Sequence, residues 1–444
     1  MAFLNPLSDA FGLDIGDRGF KVVQVSKKGG TKQPYRLRAW GSVSVPEGVM
    51  ERGDILNMTQ AVKCVRELLG KTHGRLKGSA VAACLPEAKS FIKIVETEQG
   101  ASPKQLQDAV NRELEQNIPL SLSEIYYDWQ IIDDTRPAIK KPADKAAKTA
   151  PSKEELEAVA AFGRPAIREP AGTVEQKAAE AETQDEPAAT ESETAATETD
   201  PAATESETAA QPEESEKTPK TRLLLAAAPK TLIDGYTQLL EAAGLAPIAF
   251  EVEALAIARA TVPETEEFDE PIGILDIGAT RSSLVIYDNG VLQMSIGIPL
   301  SGNELTQIIS EKLSITPAEA EVIKVECGLD AHRCEDRMWN ILLPLIDDMS
   351  SKIRNALRFY KIGFPMGKKI EKLYLCGGGA HFREIDTVLS RKLTIKVRRG
   401  DALANFGHVP HSFPADASLA YTTAIGLAMR AADEQEQFRR TFRI

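Results

Sequence analysis

Cysteine and histidine are scarce in this chain of 444 residues, five of each, and no Cys-x-x-Cys pair occurs. The cysteines (Cys64, Cys84, Cys327, Cys334 and Cys376) are odd in number and scattered in spacing. That pattern suits a reducing compartment and argues against a disulfide framework or a structural zinc. Long apolar runs are also missing: none approaches the roughly 18 residues of a membrane-spanning helix. The opening Met1-Ala-Phe-Leu-Asn-Pro-Leu7 has neither the basic start nor the apolar stretch of a secretory signal, so a cytoplasmic protein is expected. No Ser-His-Asp set, metal-ligand cluster or Gly-x4-Gly-Lys-Ser/Thr phosphate loop is visible.

A basic excess is lacking too. The formal net charge is −12, yet residues 178–216 hold acidic residues and no Lys or Arg. Setting those 13 acids aside leaves 53 basic residues against 52 acidic ones, so the acidity belongs to one segment and nucleic acid is not a favoured partner. Aromatic residues are nearly absent from the surrounding stretch 135–220, where Pro187-Ala-Ala-Thr-Glu-Ser-Glu-Thr-Ala-Ala196 recurs at 201–210. Such a stretch cannot bury enough apolar area to offset its ordering entropy, and a disordered, solvated spacer is expected. Lys153–Phe162 could form one short helix within it.

One short string is present twice. Gly12-Leu-Asp-Ile-Gly16 leads into the strand-like Phe20–Val25, and Ile274-Leu-Asp-Ile-Gly278 leads into Ser283–Tyr287. Each reads as a β-hairpin with a glycine-bearing turn and a carboxylate just before it. The glycine lets backbone N–H groups approach an anion closely, and the carboxylate can hold a divalent cation through water. Two such hairpins facing each other would pinch a metal-bound polyphosphate, so the repetition suggests an internally duplicated nucleotide-binding fold.

The remaining pattern is α/β. Ser90–Glu96, a helix opening at Ser102-Pro103, and Ile125–Ile132 precede the spacer. Arg222–Ala228, a helix from Pro229 to Gly244, and Ala246–Glu251 follow it, which suggests a small sheet of two βαβ halves interrupted at a loop tip. Expected boundaries are a first lobe over 1–84, an inserted subdomain over 85–253, a connection over 254–271, a second lobe over 272–432 and a tail over 433–444. Strand, glycines and helix succeed one another at Cys376-Gly-Gly-Gly-Ala-His381, a shape that admits a flat ligand or a phosphate. Glu321 and Lys324 lie three apart on a predicted helix and share a face, the spacing of a surface ion pair. Glu251 and Glu253 flank a strand-to-helix junction, where carboxylates can serve as caps.

These residues together resemble the actin-like ATPase superfamily. Gly12–Val25 is similar to its first phosphate motif, Ile274–Gly290 to its second and Leu373–Leu389 to its adenosine motif. Phe250–Ala258 and Ala420–Ala428 are similar to its two connecting helices. Within it, Leu85-Pro-Glu87 through Ile94, Glu113–Pro119, Tyr126–Gln130, Ala226–Leu232 and Ser301–Thr306 resemble the PilM family of type IV pilus assembly proteins, relatives of FtsA. The resemblance implies an actin-like duplicated two-lobe fold with a small inserted α/β subdomain. It implies ATP with Mg²⁺ as ligand, the metal at Asp14 and Asp276 through water. The nucleotide would meet Asp14, Gly16, Lys21, Asp276, Gly278, Thr280, Glu321, Lys324, Gly377, Gly378 and Gly379.

By the same resemblance the partner is the cytoplasmic N-terminal segment of the inner-membrane protein PilN, with self-association into a ring or filament as a further expectation. The protein would then serve the inner-membrane platform of a type IV pilus or a related type II secretion system. One departure stands out. Asp17-Arg18-Gly19 follows the first motif where relatives carry small hydroxyl residues. A second carboxylate there repels a polyphosphate, only Arg18 is expected to offset it, and slow hydrolysis at most is expected. Two rivals remain: an FtsA-like filament protein tethered by an amphipathic tail over 434–444, and a sugar or acetate kinase, for which no distinct catalytic residue is found.

Overall fold

A computed structural model describes residues 9–28, 33–132, 220–263, 270–288, 290–330, 332–363 and 368–442, with only the backbone at 335 and 436–442. The low-complexity spacer, the helix expected at 153–162 and the amphipathic reading of the tail lie outside the residues so described.

The N-terminal half opens with β1 (Phe11–Ile15), β2 (Gly19–Lys27), β3 (Tyr35–Ser44), the two-residue β4 (Met50–Glu51) and β5 (Asp54–Ile55), and α1 (Met58–Gly70). Then come β6 (His73–Gly74), β7 (Ala80–Leu85), β8 (Phe91–Glu98), α2 (Pro103–Asn117) and β9 (Ile125–Ile132). After the spacer follow β10 (Lys220–Pro229), α3 (Lys230–Ala242), β11 (Ala246–Val252) and α4 (Glu253–Thr261). The C-terminal half has β12 (Ile272–Ile277), β13 (Ser282–Asp288), β14 (Val291–Ile298), α5 (Gly302–Leu313), α6 (Pro317–Cys327), α7 (Arg337–Gly363), β15 (Lys372–Cys376), α8 (Ile385–Leu393), β16 (Lys396–Arg399), β17 (Phe406–His408) and α9 (Thr422–Phe442).

Two sheets repeat one strand order. The first runs β11-β7-β1-β2-β3 and continues to β17, with β6 alongside β3; the second runs β16-β15-β12-β13-β14. In each, an antiparallel three-strand meander is extended by two parallel strands. The central strands read as unbroken apolar runs because both faces are covered. All residues of β1 and β7 are buried, and α1 and α3 close one face over Phe11, Leu13, Val22, Leu68 and Leu239. Each such side chain, fully buried, contributes roughly 1.5–3 kcal/mol.

The expected small sheet differs from the one observed. Only β8, β10 and β9 form it, in that order and all antiparallel. β11 joins β7 in the first sheet, and α3 packs on α1. The physical reason is the duplication itself: β11 fills the parallel edge position that β16 fills in the second sheet. Read locally, strand–helix–strand gave no sign of where its last strand would dock. The small sheet is backed by α2 over Val95, Val110, Leu114, Leu223 and Leu225. α2 starts as the sequence foretells, with Pro103 at its first turn and a capping box between Ser102 and Gln105.

A second expectation is overturned. Cys327 and Cys334 form a disulfide, with Cα atoms 6.0 Å apart. Cys327 ends α6, and Gly328, at φ +59°, turns the chain back beneath it. Spacing alone did not reveal that turn. Between the two sheets run α4 and α9, which pack closely on one another. A Cβ on Gly426 would lie 1.9 Å from the Ala256 carbonyl oxygen, so only glycine allows this crossing. Beside it, buried Glu251 takes both guanidinium nitrogens of Arg259 at 2.6 Å and Arg430 at 3.3 Å.

Candidate functional site

The two hairpin turns carry the site, and each places its aspartate in the same way. Asp14 lies one residue before the end of β1, opposite Lys21 of β2, and the lysine Nζ lies 3.1 Å from Asp14 Oδ2. Burial pulls the Lys21 pKa down, but the charge and hydrogen bond of Asp14, aided by Asp276 and Glu253, carry it above its ordinary value. Asp276 lies one residue before the end of β12, opposite Ser283 of β13. Behind each aspartate stands a buried thiol from the neighbouring parallel strand. Cys84 donates to Asp14 Oδ1 at 3.4 Å, and Cys376 donates to Asp276 Oδ1 at 3.5 Å. Burial pushes both thiols well up, so they stay protonated as donors. Burial likewise raises Asp276 to about 6, with the charge of Asp14 adding to the shift.

The turns themselves meet. Gly16 N–H donates to the Gly19 carbonyl at 3.3 Å, and Gly278 N–H to the Arg281 carbonyl at 2.9 Å. A Cβ on Gly278 would lie 2.5 Å from that carbonyl oxygen. Asp17 is 6% exposed and accepts from Gly53 N–H and from the Thr280 hydroxyl, each at 2.8 Å. Arg18, expected to offset that carboxylate, instead pairs with Glu47 at the surface, 2.9 Å away. The cation that faces Asp17 is Arg281. Burial lowers the Arg281 pKa, but Glu253 and Asp17 together raise it overall. Its Nη2 lies 3.5 Å from Glu253, and its buried Nη1 has no hydrogen-bond partner.

Glu253 opens α4, and burial raises its carboxyl to about 8, with Asp276, Asp14 and Glu87 adding to the shift and Arg281 opposing it. Glu87 is also raised by burial; it accepts from Ser295, and its Oε2 is buried without a partner.

The glycine run after β15 does three different things. Gly377, at φ +78°, would place a Cβ 2.4 Å from Asp276 Oδ1, and Gly379 would place one 2.2 Å from Ile277 Cγ2. Only Gly378 of the three faces open space. Glu321 and Lys324 form the ion pair their spacing suggests, but only Glu321 lies at the surface. Lys324 is 8% exposed and spends its three donors on Glu321 at 2.6 Å, Thr306 at 2.8 Å and the Gly302 carbonyl at 3.0 Å. Gly302 N–H in turn donates to the Gly278 carbonyl, so the pair is tied directly to the second turn.

The donor set suits a hard divalent cation bound with its polyphosphate. Among the described residues, Asp14, Asp17, Glu87, Glu253 and Asp276 lie near two cations, Lys21 and Arg281, and even with Glu253 protonated the acids outnumber them, a balance that repels a bare polyphosphate and attracts a cation. Among the described residues no group of three or more His, Cys, Asp or Glu could hold a metal alone. A cation at Asp14 and Asp276 would therefore complete its shell with water and phosphate oxygens, as Mg²⁺ commonly does.

Sequence reading missed Glu87, Arg281 and the two thiols as parts of this site and took Glu253 for a cap. The signal available was register: Cys84 and Cys376 each lie near the end of the strand that runs parallel to an aspartate-bearing one.

The family model of type IV pilus assembly protein PilM matches residues 12–161 and 209–432. A solved structure, the PilM-PilN type IV pilus biogenesis complex, superposes with a TM-score of 0.66 at 20% identity, over 96% of this chain and 99% of that one. Cell division protein FtsA of Neisseria meningitidis serogroup B is 26% identical over 199 residues, which are 40% of this chain and 48% of that protein. FtsA of Bacillus subtilis is 28% identical over 104 residues, 23% of each chain. The chain thus spans less than half the length of these curated relatives. With its paired hairpins, its duplicated strand order and a family match over both halves, this chain belongs to the PilM family of type IV pilus assembly proteins and has the actin-like two-lobe fold.

Proposed function

We propose that the protein binds Mg-ATP between its two hairpin turns and uses its small three-stranded sheet to hold the cytoplasmic N-terminal segment of a PilN-like inner-membrane protein. It would thereby seat a cytoplasmic ring on the inner membrane through that partner. Among the described residues no helix is long and apolar enough to cross a membrane.

Asp14 and Asp276 would orient the hydrated cation, each carboxylate held by a thiol behind it. Lys21, Thr280 and the backbone at Gly16 and Gly278 would bind phosphate oxygens. Gly378 would lie against the adenosine, with Glu321 and Lys324 beside it. The bound cation neutralises phosphate charge and orients the polyphosphate. Glu253, with its carboxyl raised to about 8, keeps its proton at neutral pH in the ligand-free site. Nucleotide would act mainly as a conformational ligand, hydrolysed slowly at most.

The observation that carries the partner reading is β9. It is an outer strand of the small sheet, paired among the described residues with β10 alone, and it exposes Tyr126 and Ile131, 46% and 58% accessible. An extended peptide can pair with such an edge and place alternate side chains on apolar contacts. A contact of that size supports an affinity of about 1 μM, near −8 kcal/mol, which a membrane array would raise by multivalency.

The test is titration of a labelled PilN-like tail peptide with the full-length protein and with Ile131→Asp and Tyr126→Asp. Micromolar binding, weakened at least tenfold in the variants, is expected. Equal binding by all three would move the peptide site off β9. No peptide binding, with sedimentation on bare lipid vesicles, would favour the FtsA-like reading, to which the FtsA similarity lends its weight.

A further inference from the structure

We propose that Asp17 is a built-in competitor for phosphate at the second turn. Without nucleotide its carboxylate holds the Thr280 hydroxyl, and nucleotide affinity is set low because binding must break that bond. This rests on the nucleotide reading above.

A threonine hydroxyl has one proton to give. Thr280 gives it to Asp17 Oδ2 at 2.8 Å, across 263 positions of sequence, from the turn of one hairpin to the turn of the other. The same proton cannot also reach a phosphate oxygen. The seat of Asp17 is built. The carboxylate is more than nine-tenths buried, and its other oxygen takes Gly53 N–H at 2.8 Å. Gly53 is itself fixed, because Tyr236 donates to its carbonyl at 3.0 Å and Pro86 lies where a Cβ would point, at 2.5 Å. Asp17 therefore does not swing aside when a phosphate arrives. It remains next to the polyanion as a like charge, having lost one of its two donors.

Arg281 shows the other half of the exchange. Its buried Nη1 has no partner, so one cationic donor is already free for an incoming anion while the neighbouring hydroxyl is taken. Nucleotide entry then trades the Thr280–Asp17 bond for Thr280–phosphate and Arg281–phosphate contacts. Because the Thr280–Asp17 bond also ties the two hairpins together, its loss has two effects of opposite sign. The ligand-free protein becomes less stable, and the nucleotide complex becomes tighter. A purely structural Asp17 would lower both.

The experiment uses the full-length protein with Asp17→Asn, Asp17→Ser, Thr280→Val and the Asp17→Asn/Thr280→Val pair. Mg-ATP is titrated calorimetrically at fixed salt, and thermal unfolding is followed with and without it. Both Asp17 variants should bind Mg-ATP roughly tenfold more tightly than the parent, the scale of a charge-assisted hydrogen bond. Their ligand-free midpoints should fall. The gain from Asp17→Asn should shrink in the Thr280→Val background, where no hydroxyl remains to be released. Asp17→Asn keeps the shape and the acceptor for Gly53 N–H while turning an amide N–H₂ donor toward Thr280, so it releases the threonine proton and decides the matter should Asp17→Ser fail to fold. If the parent binds Mg-ATP and both Asp17 variants bind within twofold of it or more weakly, the proposal is overturned and the nucleotide reading stands. If neither the parent nor any variant binds, both are overturned.

Discussion

At the scale of single residues, Glu253 makes a pH dependence that can be signed in advance. Its folded carboxyl titrates near 8, far above its ordinary value of 4.5, because burial and nearby Asp276, Asp14 and Glu87 disfavour the anion. Between those values the folded protein keeps a proton that the unfolded chain has released. Stability contributed at this group is therefore complete below about 4.5, falls as pH rises across the window and is level above about 8. Glu253→Gln removes the effect. Urea unfolding of the ligand-free protein at pH 5, 6.5 and 8 should show the variant gaining on the parent as pH rises; parallel curves would mean Glu253 is ionised throughout. Residue identity was partly legible in sequence. Asp14 and Asp276 announced themselves by repetition, whereas Glu87 and Arg281 did not, because what makes them part of the site is burial beside distant carboxylates. The offset expected of Arg18 failed for a related reason: adjacency in sequence says nothing about which side of a turn a side chain takes, and Arg18 reaches Glu47.

At the scale of elements, two glycines on helices give opposite expectations for one substitution. Gly426 lies in α9 where it crosses α4, and an added methyl would meet the Ala256 carbonyl at 1.9 Å. Gly426→Ala should destabilise by about 1–3 kcal/mol or more, since the helices must part. Gly235 lies within α3 with nothing near its missing side chain, and Gly235→Ala should stabilise by about 0.5–1 kcal/mol. Chemical denaturation of both variants checks the pair, and equal effects would contradict the crossing geometry. Element type and approximate position were readable from apolar periodicity, Ser102-Pro103 being a plain helix start. Sheet membership was not. β11 is apolar and β-branched enough for either sheet, and only the strand order of the second half shows that the first needs it.

At the scale of the whole molecule, the chain is a duplicated fold carrying one inserted stretch. The last residue of β9, Ile132, lies in register with Arg222 of β10, so the spacer leaves and returns at neighbouring points. Closing that gap costs little, because loop entropy grows slowly with length. Deletion of residues 138–218 with a short Gly/Ser linker should leave cooperative thermal unfolding intact; loss of cooperativity would place the segment in the core. The duplication was legible from two five-residue strings because each encodes a complete local device, strand, carboxylate and turn. The facing of the two turns was not, since it depends on α4 and α9 packing between the sheets. The central claim is that these two turns jointly hold a metal-bound nucleotide, and calorimetric titration of ATP with and without Mg²⁺ into the parent, Asp14→Ala and Asp276→Ala tests it most directly. Mg²⁺-dependent binding that weakens at least tenfold in each variant, while both remain folded, is expected. Absence of binding with or without Mg²⁺, or binding indifferent to both substitutions, would contradict it.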